Sequence, residues 1–331
     1  MRLFRFALAV ALCLTATLTH AAGLRLIKVR SDGAPTLQIA VWSPCSAAAG
    51  EVKLGSTVLP GTMDCPVSGE KLPIIVTSHG FGGGFTGNHD TTEILADAGF
   101  VVVGINHPVD TGAGDMARAD TLAALIERPA DIKRVIDYML GEWSDRARLD
   151  PDRIGFFGFS RGGYTGLVIA GANPDIRKAT AFCPEGNRKP SCEELQRNEI
   201  PTQMPVHDPR VRAMVIADPA FGPLFDRNGL KDVRIPIQLW ASELSGEDKI
   251  TEIRPDYFTA IDQELPIKAD YHIVRNAGHF AFLSPCPQDT AKRLPKICTD
   301  RSGFDRVAFH KEWNASILAF FRKHLIDARQ P

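Results

Sequence analysis

The chain has 331 residues, 44% of them hydrophobic and 23% charged, enough apolar material for one sizeable core and within the ordinary globular range. A formal net charge of -1 and a pI near 6.8 give no overall field to attract nucleic acid or an anionic membrane, so composition excludes partners of that kind. No internal repeat, Pro/Ser-rich linker or charge run divides the sequence, and residues 23–331 read as a single domain.

Met1-Arg2-Leu3-Phe4-Arg5, an apolar run from Phe6 to Leu18 and then Thr19-His20-Ala21-Ala22 have the parts of a secretory signal peptide over residues 1–22. Cleavage is expected after Ala21 or Ala22. The run is too short to cross a bilayer comfortably, and Leu12 before Cys13 is not the small residue a lipid-anchor signal needs. A periplasmic or secreted protein without a stable membrane anchor is therefore expected. Of seven cysteines, loss of Cys13 leaves six in an oxidising compartment. Closeness in sequence pairs Cys45 with Cys65, Cys183 with Cys192 and Cys286 with Cys298, each bridge worth about 2–4 kcal/mol if unstrained. None has the C-x-x-C spacing of a structural zinc site, and no metal or organic cofactor is expected.

Short apolar runs at Leu37 to Trp42, Leu72 to Thr77, Phe100 to Asn106 and Arg153 to Phe159 predict strands. A helical pattern at Asp131 to Leu140, with Ile132, Val135, Ile136 and Met139 apolar, falls between the last two. Continuous rather than alternating strands belong to a sheet buried on both faces, hence a mostly parallel α/β sheet with helices on both sides. Val211 to Ala217, Ile235 to Ala241 and Tyr271 to Val274 continue the sheet, and Ala308 to Leu325 predicts a closing helix. The polar, proline-containing stretch 184–209, with a short helix at Glu193 to Arg197, reads as an insertion over the sheet edge.

Gly158-Phe159-Ser160-Arg161-Gly162 is a G-x-S-x-G placed directly after a strand and before the helix-compatible run Gly163 to Ala170. That context is the nucleophile elbow of the α/β-hydrolase fold, in which glycines relieve a strained turn that lifts the serine above the sheet. A serine hydroxyl needs a base to take its proton. Among nine histidines, His279 in Asn276-Ala277-Gly278-His279-Phe280 stands on the loop after the last strand, where such a base belongs. His20, His207, His310 and His324 fall in the signal, the insertion and the final helix. The acid that orients the base is Asp218, at the end of Val211 to Ala217, with Glu243 and Asp248 after the next strand as alternatives. The oxyanion needs two donors, and Ser78-His79-Gly80-Phe81-Gly82-Gly83-Gly84 after a strand supplies the Phe81 N–H, with the Arg161 N–H as partner. The glycine-rich loop lacks a G-K-[ST] ending, which argues against phosphate binding, and His79 reads as a brace for the loop.

These segments, together with Gly99-Phe100-Val101-Val102-Val103 and Gly278-His279-Phe280-Ala281-Phe282-Leu283-Ser284-Pro285-Cys286, resemble two groups over about Leu72 to Phe321. They are the bacterial proteins known as predicted dienelactone hydrolases and the platelet-activating-factor acetylhydrolases. The acetylhydrolase resemblance implies an acid at Asp218 in Ile216-Ala217-Asp218-Pro219. The dienelactone-like resemblance implies one after the following strand, where this chain holds Ser245, and so keeps Glu243 and Asp248 open. True dienelactone hydrolases use a cysteine nucleophile, whereas this chain has Ser160.

The expected activity is hydrolysis of small or short-acyl carboxylic esters through an acyl-enzyme. Alternatives are a lipid or polyester hydrolase and a catalytically silent exported binding protein. Phe81, Phe85, Phe159, Phe221, Phe225 and Phe280 are candidates for an apolar pocket, against plain core packing, and Asn314-Ala315-Ser316 is a glycosylation sequon in form only.

Overall fold

The computed structural model describes residues 22–54, 57–112, 114, 116–247, 251 and 253–328; Asp248 and the first twenty-one residues of the expected signal peptide lie outside them. Ten strands, β1 (Gly23–Ser31), β2 (Ala34–Ser43), β3 (Gly50–Leu54), β4 (Thr57–Met63), β5 (Leu72–Ser78), β6 (Val101–Asn106), β7 (Leu149–Phe159), β8 (Val211–Ala217), β9 (Ile237–Ser242) and β10 (Asp270–Val274), form one sheet in the order β10-β9-β8-β7-β5-β6-β2-β1-β4-β3. From β6 to β10 the neighbours pair in parallel, and β2 joins β6 antiparallel. The crossing of β5 and β6 in this order is that of the α/β-hydrolase sheet expected from the elbow.

The fully apolar strands are the central ones. Every residue of β5 and β6 is buried, and successive side chains alternate between two cores. Val76, Val103, Phe156 and Ile216 face α2 (Ala123–Gly141) and α3 (Arg161–Ile169). Ile75, Val102, Phe157 and Val215 face Leu95 of α1 (His89–Asp97) and Trp313, Ile317 and Phe321 of the closing helix Arg306–Phe321. The expected helix at Asp131 to Leu140 is the second half of α2, which starts eight residues earlier and carries Pro129 inside it. Proline has no N–H to return to the Leu125 carbonyl, and the buried Tyr164 hydroxyl donates to that oxygen instead, at 3.3 Å. Tertiary contact thus carries the helix through a residue that would stop it locally. The closing helix gives way to a π-turn at Arg322–Ile326, which begins inside the expected span and ends one residue beyond it.

The three expected disulfides are all present, Cys45–Cys65, Cys183–Cys192 and Cys286–Cys298. The expected insertion carries its short helix from three residues before the start that the sequence pattern predicts. Its helix, Pro190–Gln196, packs at the start of α2, where Glu194 accepts the Leu122 N–H at 2.7 Å and the Asp120 carbonyl accepts the Ser191 N–H at 2.8 Å. A carboxylate at a helix N-terminus is favoured by the unpaired N–H groups there. Composition alone does not reveal that destination.

Tyr164→Phe is expected to lower the unfolding free energy by about 1 kcal/mol, because the Leu125 carbonyl stays buried and loses a donor. Urea unfolding measures this; an unchanged midpoint and slope would show that the hydroxyl does not support the helix at Pro129.

Candidate active site

The chain reverses from β7 into α3 through the single residue Ser160, at φ 58° and ψ -116°. A non-glycine residue in that region carries backbone strain of about 1–3 kcal/mol. It is held there by its neighbours: Ser160 N–H donates to Ala217 O at 2.9 Å, and Ser160 O accepts from the N–H groups of Gly163 and Ala220, both at 2.9 Å. The flanking glycines are required by contact. A Cβ on Gly162 would sit 1.9 Å from the Ser78 carbonyl oxygen, and one on Gly158 2.3 Å from that of Gly162.

His279 opens the turn His279–Phe282 beyond β10 and is buried. Its Nδ1 donates to Asp218 Oδ2 at 2.9 Å, and its ring stacks on Phe159, centroids 4.6 Å apart. Asp218, also at positive φ (43°), gives its N–H to Trp240 O at 2.9 Å. Its carboxylate accepts further hydrogen bonds from Ser242 N (2.7 Å) and Ser242 Oγ (2.5 Å). Of the two candidate acids among the described residues, Asp218 is the one brought to the histidine. Glu243 is occupied elsewhere, accepting from Arg275 and from the Asn276 N–H, which together hold its carboxyl below the usual range. Asp248 is not among the described residues. Ser245, where the dienelactone-like group commonly carries its acid, is buried, and its hydroxyl has no partner among the described residues.

A second layer fixes the turn that bears His279. His310 donates to Asp90 Oδ2 at 2.6 Å and to Ala281 O at 2.8 Å, Asn88 Nδ2 donates to Phe282 O, and Asn314 and Ser284 both donate to Asp90. Burial opposes ionisation of Asp90, yet these hydrogen bonds, led by His310, hold its carboxyl far below the usual value. Asn314 is 3% exposed and engaged with Asp90 and Thr91, so the sequon is not a glycosylation site in the folded chain.

On the other side of Ser160, the loop after β5 runs Ser78 to Gly84. Neither the Phe81 N–H nor the Arg161 N–H has an acceptor among the described residues. The Arg161 guanidinium lies 4.3 Å from the Phe81 ring centroid and 5.5 Å from that of Phe221, and reaches Asp110 and Asp120. Beneath this loop lies a buried network that the sequence reading did not anticipate. Arg128 bonds Asp110 (2.5 Å), Ser78 Oγ (3.0 Å), Thr165 Oγ1 (3.1 Å) and the His79 carbonyl. Ser78 Oγ meets His107 Nε2 at 2.9 Å, and His107 Nδ1 meets Asp131 Oδ2 at 3.1 Å. Burial, aided by the Arg128 charge, lowers His79 to about 4 and His107 well below its usual value, while burial raises Asp131 to about 7. A signal was present: Arg128 and Asp131 stand four residues before Ile132 and Val135, on the apolar stripe of their helix.

The six phenylalanines divide. Phe85 packs on Trp42, Phe225 on Tyr164 and Phe159 under His279, so these are core or support. Phe81, 48% exposed, Phe221, and Phe280, edge-on to His279, remain at the site. The hollow of about 500 Å³ between α2 and residues 199–203 contains none of these groups.

The dienelactone hydrolase family model matches residues 59–214, a stretch that includes Ser160 and ends before Asp218 and His279. Over 139 residues the chain is 32% identical to "Hydrolase LUC6" of a Fusarium species; that match covers 39% of this chain and 31% of the relative, so it spans about a third of that protein. Among solved structures, ferulic acid esterase from Streptomyces cinnamoneus aligns with a TM-score of 0.65 at 17% identity, over 95% of this chain and 93% of that one. Dienelactone hydrolase from Anabaena variabilis aligns with a TM-score of 0.51 at 15% identity, over 92% and 100%. At these identities the structural matches bear on fold.

Asp90 gives a pH test of the second layer. Its folded pKa lies below the ordinary 3.8, so its stabilisation is complete above that value and is lost as pH falls toward the folded one. Melting temperatures between about pH 2 and 5 are expected to fall more steeply for wild type than for Asp90→Asn. Parallel slopes would remove Asp90 from the account.

Proposed function

We propose that this dienelactone hydrolase-like α/β-hydrolase cleaves carboxylic esters, with Ser160 as nucleophile, His279 as base and Asp218 as the acid that orients it. The observation that carries the reading is the His279–Asp218 bond at 2.9 Å, with the His279 ring stacked on Phe159, the residue before a serine held at positive φ at the head of α3. The Asp218 carboxylate fixes the proton on Nδ1, which leaves Nε2 free to take one from Ser160, and it stabilises the imidazolium that follows. The N–H groups of Phe81 and Arg161 would receive the oxyanion, the latter helped by the positive end of α3. His279 then returns its proton to the leaving alcohol, and water, activated by the same ring, releases the acid from the acyl-enzyme.

Export through cleavage of the N-terminal segment is part of the proposal, supported by the three disulfides, and so is a preference for short acyl groups. No described helix is long and apolar enough to cross a membrane.

Hydrolysis of p-nitrophenyl esters from acetate to palmitate by the mature, oxidised protein tests the reading. Turnover is expected to be highest on short chains and to fall at least about a thousandfold in Ser160→Ala and His279→Ala, with Asp218→Asn near the same loss. Glu243→Gln is expected to stay within about twofold of wild type, since its carboxylate serves Arg275 and Asn276. Activity indifferent to the serine and histidine changes would sink the assignment.

A further inference from the structure

The oxyanion donor of the Gly80–Phe81 peptide is only as well aimed as that peptide. The peptide is trans, so its N–H points opposite to its carbonyl, and whatever holds the Gly80 oxygen sets the direction of the Phe81 N–H. Two donors hold that oxygen: His79 Nδ1 at 2.6 Å and the Gly83 N–H at 3.1 Å. Gly80 itself lies against the nucleophile, since a Cβ there would meet Ser160 Cβ at 3.1 Å.

His79 can donate from Nδ1 only in one tautomer, and the surroundings impose it. Its Nε2 accepts the His107 backbone N–H at 3.1 Å, which leaves the ring proton on Nδ1. His107 is in turn fixed as the middle of a second Ser–His–Asp array, Ser78–His107–Asp131. All three side chains lie deep in the fold, with Arg128 bonded to the serine hydroxyl and to the His79 carbonyl. On the far side of Phe81, the Gly82 N–H donates to Asp110 O at 3.0 Å, and Asp110 is the carboxylate that faces Arg128. The peptide is thus tied on both sides to the same buried charge pair.

Resting on the serine-hydrolase reading above, we propose that His79 is the positioning residue of the oxyanion site: its Nδ1–H locks the Gly80–Phe81 peptide with the Phe81 N–H toward Ser160, and the His107 backbone N–H, held in place by the buried Ser78–His107–Asp131 array with Arg128, fixes the tautomer that does so. Protonated His79 would turn an Nε2–H against the His107 N–H, so the neutral ring is the working form. The groups facing it are His107, Arg128, Asp110 and Arg161, and burial with the Arg128 charge keeps it neutral down to about pH 4.

Two isosteres separate positioning from mere packing. Asparagine places an amide N–H near Nδ1, and glutamine places one near Nε2. His79→Asn is expected to keep kcat within about tenfold of wild type, whereas His79→Gln and His79→Ala lose about 10²–10³-fold in kcat with KM little changed, the loss typical of one oxyanion donor. Affinity for a trifluoromethyl ketone analogue, which forms an oxyanion with Ser160, should fall in parallel with kcat/KM across the series. Melting temperatures recorded alongside identify any variant that fails to fold. As a second probe, Asp131→Asn should lower kcat without changing KM. Equal loss in Asn and Gln, or analogue affinity that does not follow kcat/KM, would overturn the assignment. Wild-type turnover abolished by Ser160→Ala keeps that outcome distinct from failure of the hydrolase reading itself.

Discussion

The backbone of α3 passes so close to the end of β5 that nothing larger than hydrogen fits between Gly162 and the Ser78 carbonyl. That contact sets the distance between the two halves of the site. Because β5 and β7 are adjacent and parallel, their C-terminal ends open on the same side, and the turn at Ser160 and the loop after Ser78 are the two segments that leave there. Ser160 can be raised above the sheet only if its following turn drops onto β5. Once it does, the residues after Ser78 have one place to go. The strain at Ser160 is offset by the backbone hydrogen bonds to Ala217, Gly163 and Ala220, so the sheet and not the loop alone holds Ser160 in place.

The same closeness explains why charge is buried here. Arg128 and Asp110 are 1% and 0% exposed, and a pair of this kind gains little over apolar packing, although removal of one partner leaves the other charge stranded at about 3–5 kcal/mol. What the pair supplies is direction. Apolar side chains cannot hold a carbonyl such as that of His79, and the loop of glycines after Gly80 has little side-chain packing of its own. Arg128, with five donors in a rigid fork, reaches a carboxylate, two hydroxyls and a carbonyl together, which no lysine geometry would match.

The fold was legible in the sequence because its central strands are continuous apolar runs, the pattern of strands buried on both faces. The elbow was legible because it needs glycines at fixed offsets from a serine. Strands β1, β3 and β4, at the far end of the sheet, were not, since they are half exposed and lack that signature. Pro129 hid the first half of α2, whose continuity depends on Tyr164, thirty-five residues away in the chain. Ser160 and His279 stood out by position, whereas the choice among Asp218, Glu243 and Asp248 depended on which strand end faces the histidine, a distance that no spacing encodes. Arg128 and Asp131 were visible as charges on an apolar helical stripe, but their partners come from three other segments.

The placement of the acid follows from what the imidazole requires. His279 hangs from the loop after β10 and reaches inward over β9 toward β8, so an acceptor at either strand end can meet its Nδ1–H. At β8 the chain turns at positive φ immediately after the strand, which swings the Asp218 carboxylate back over β9, where the Ser242 N–H and hydroxyl meet it. A carboxylate at Ser245 would need those donors or others of its own. Two acids over one histidine would repel each other, and one of them would have to take up a proton. With a serine at 245, Asp218 supplies the carboxylate that the His279 Nδ1–H meets.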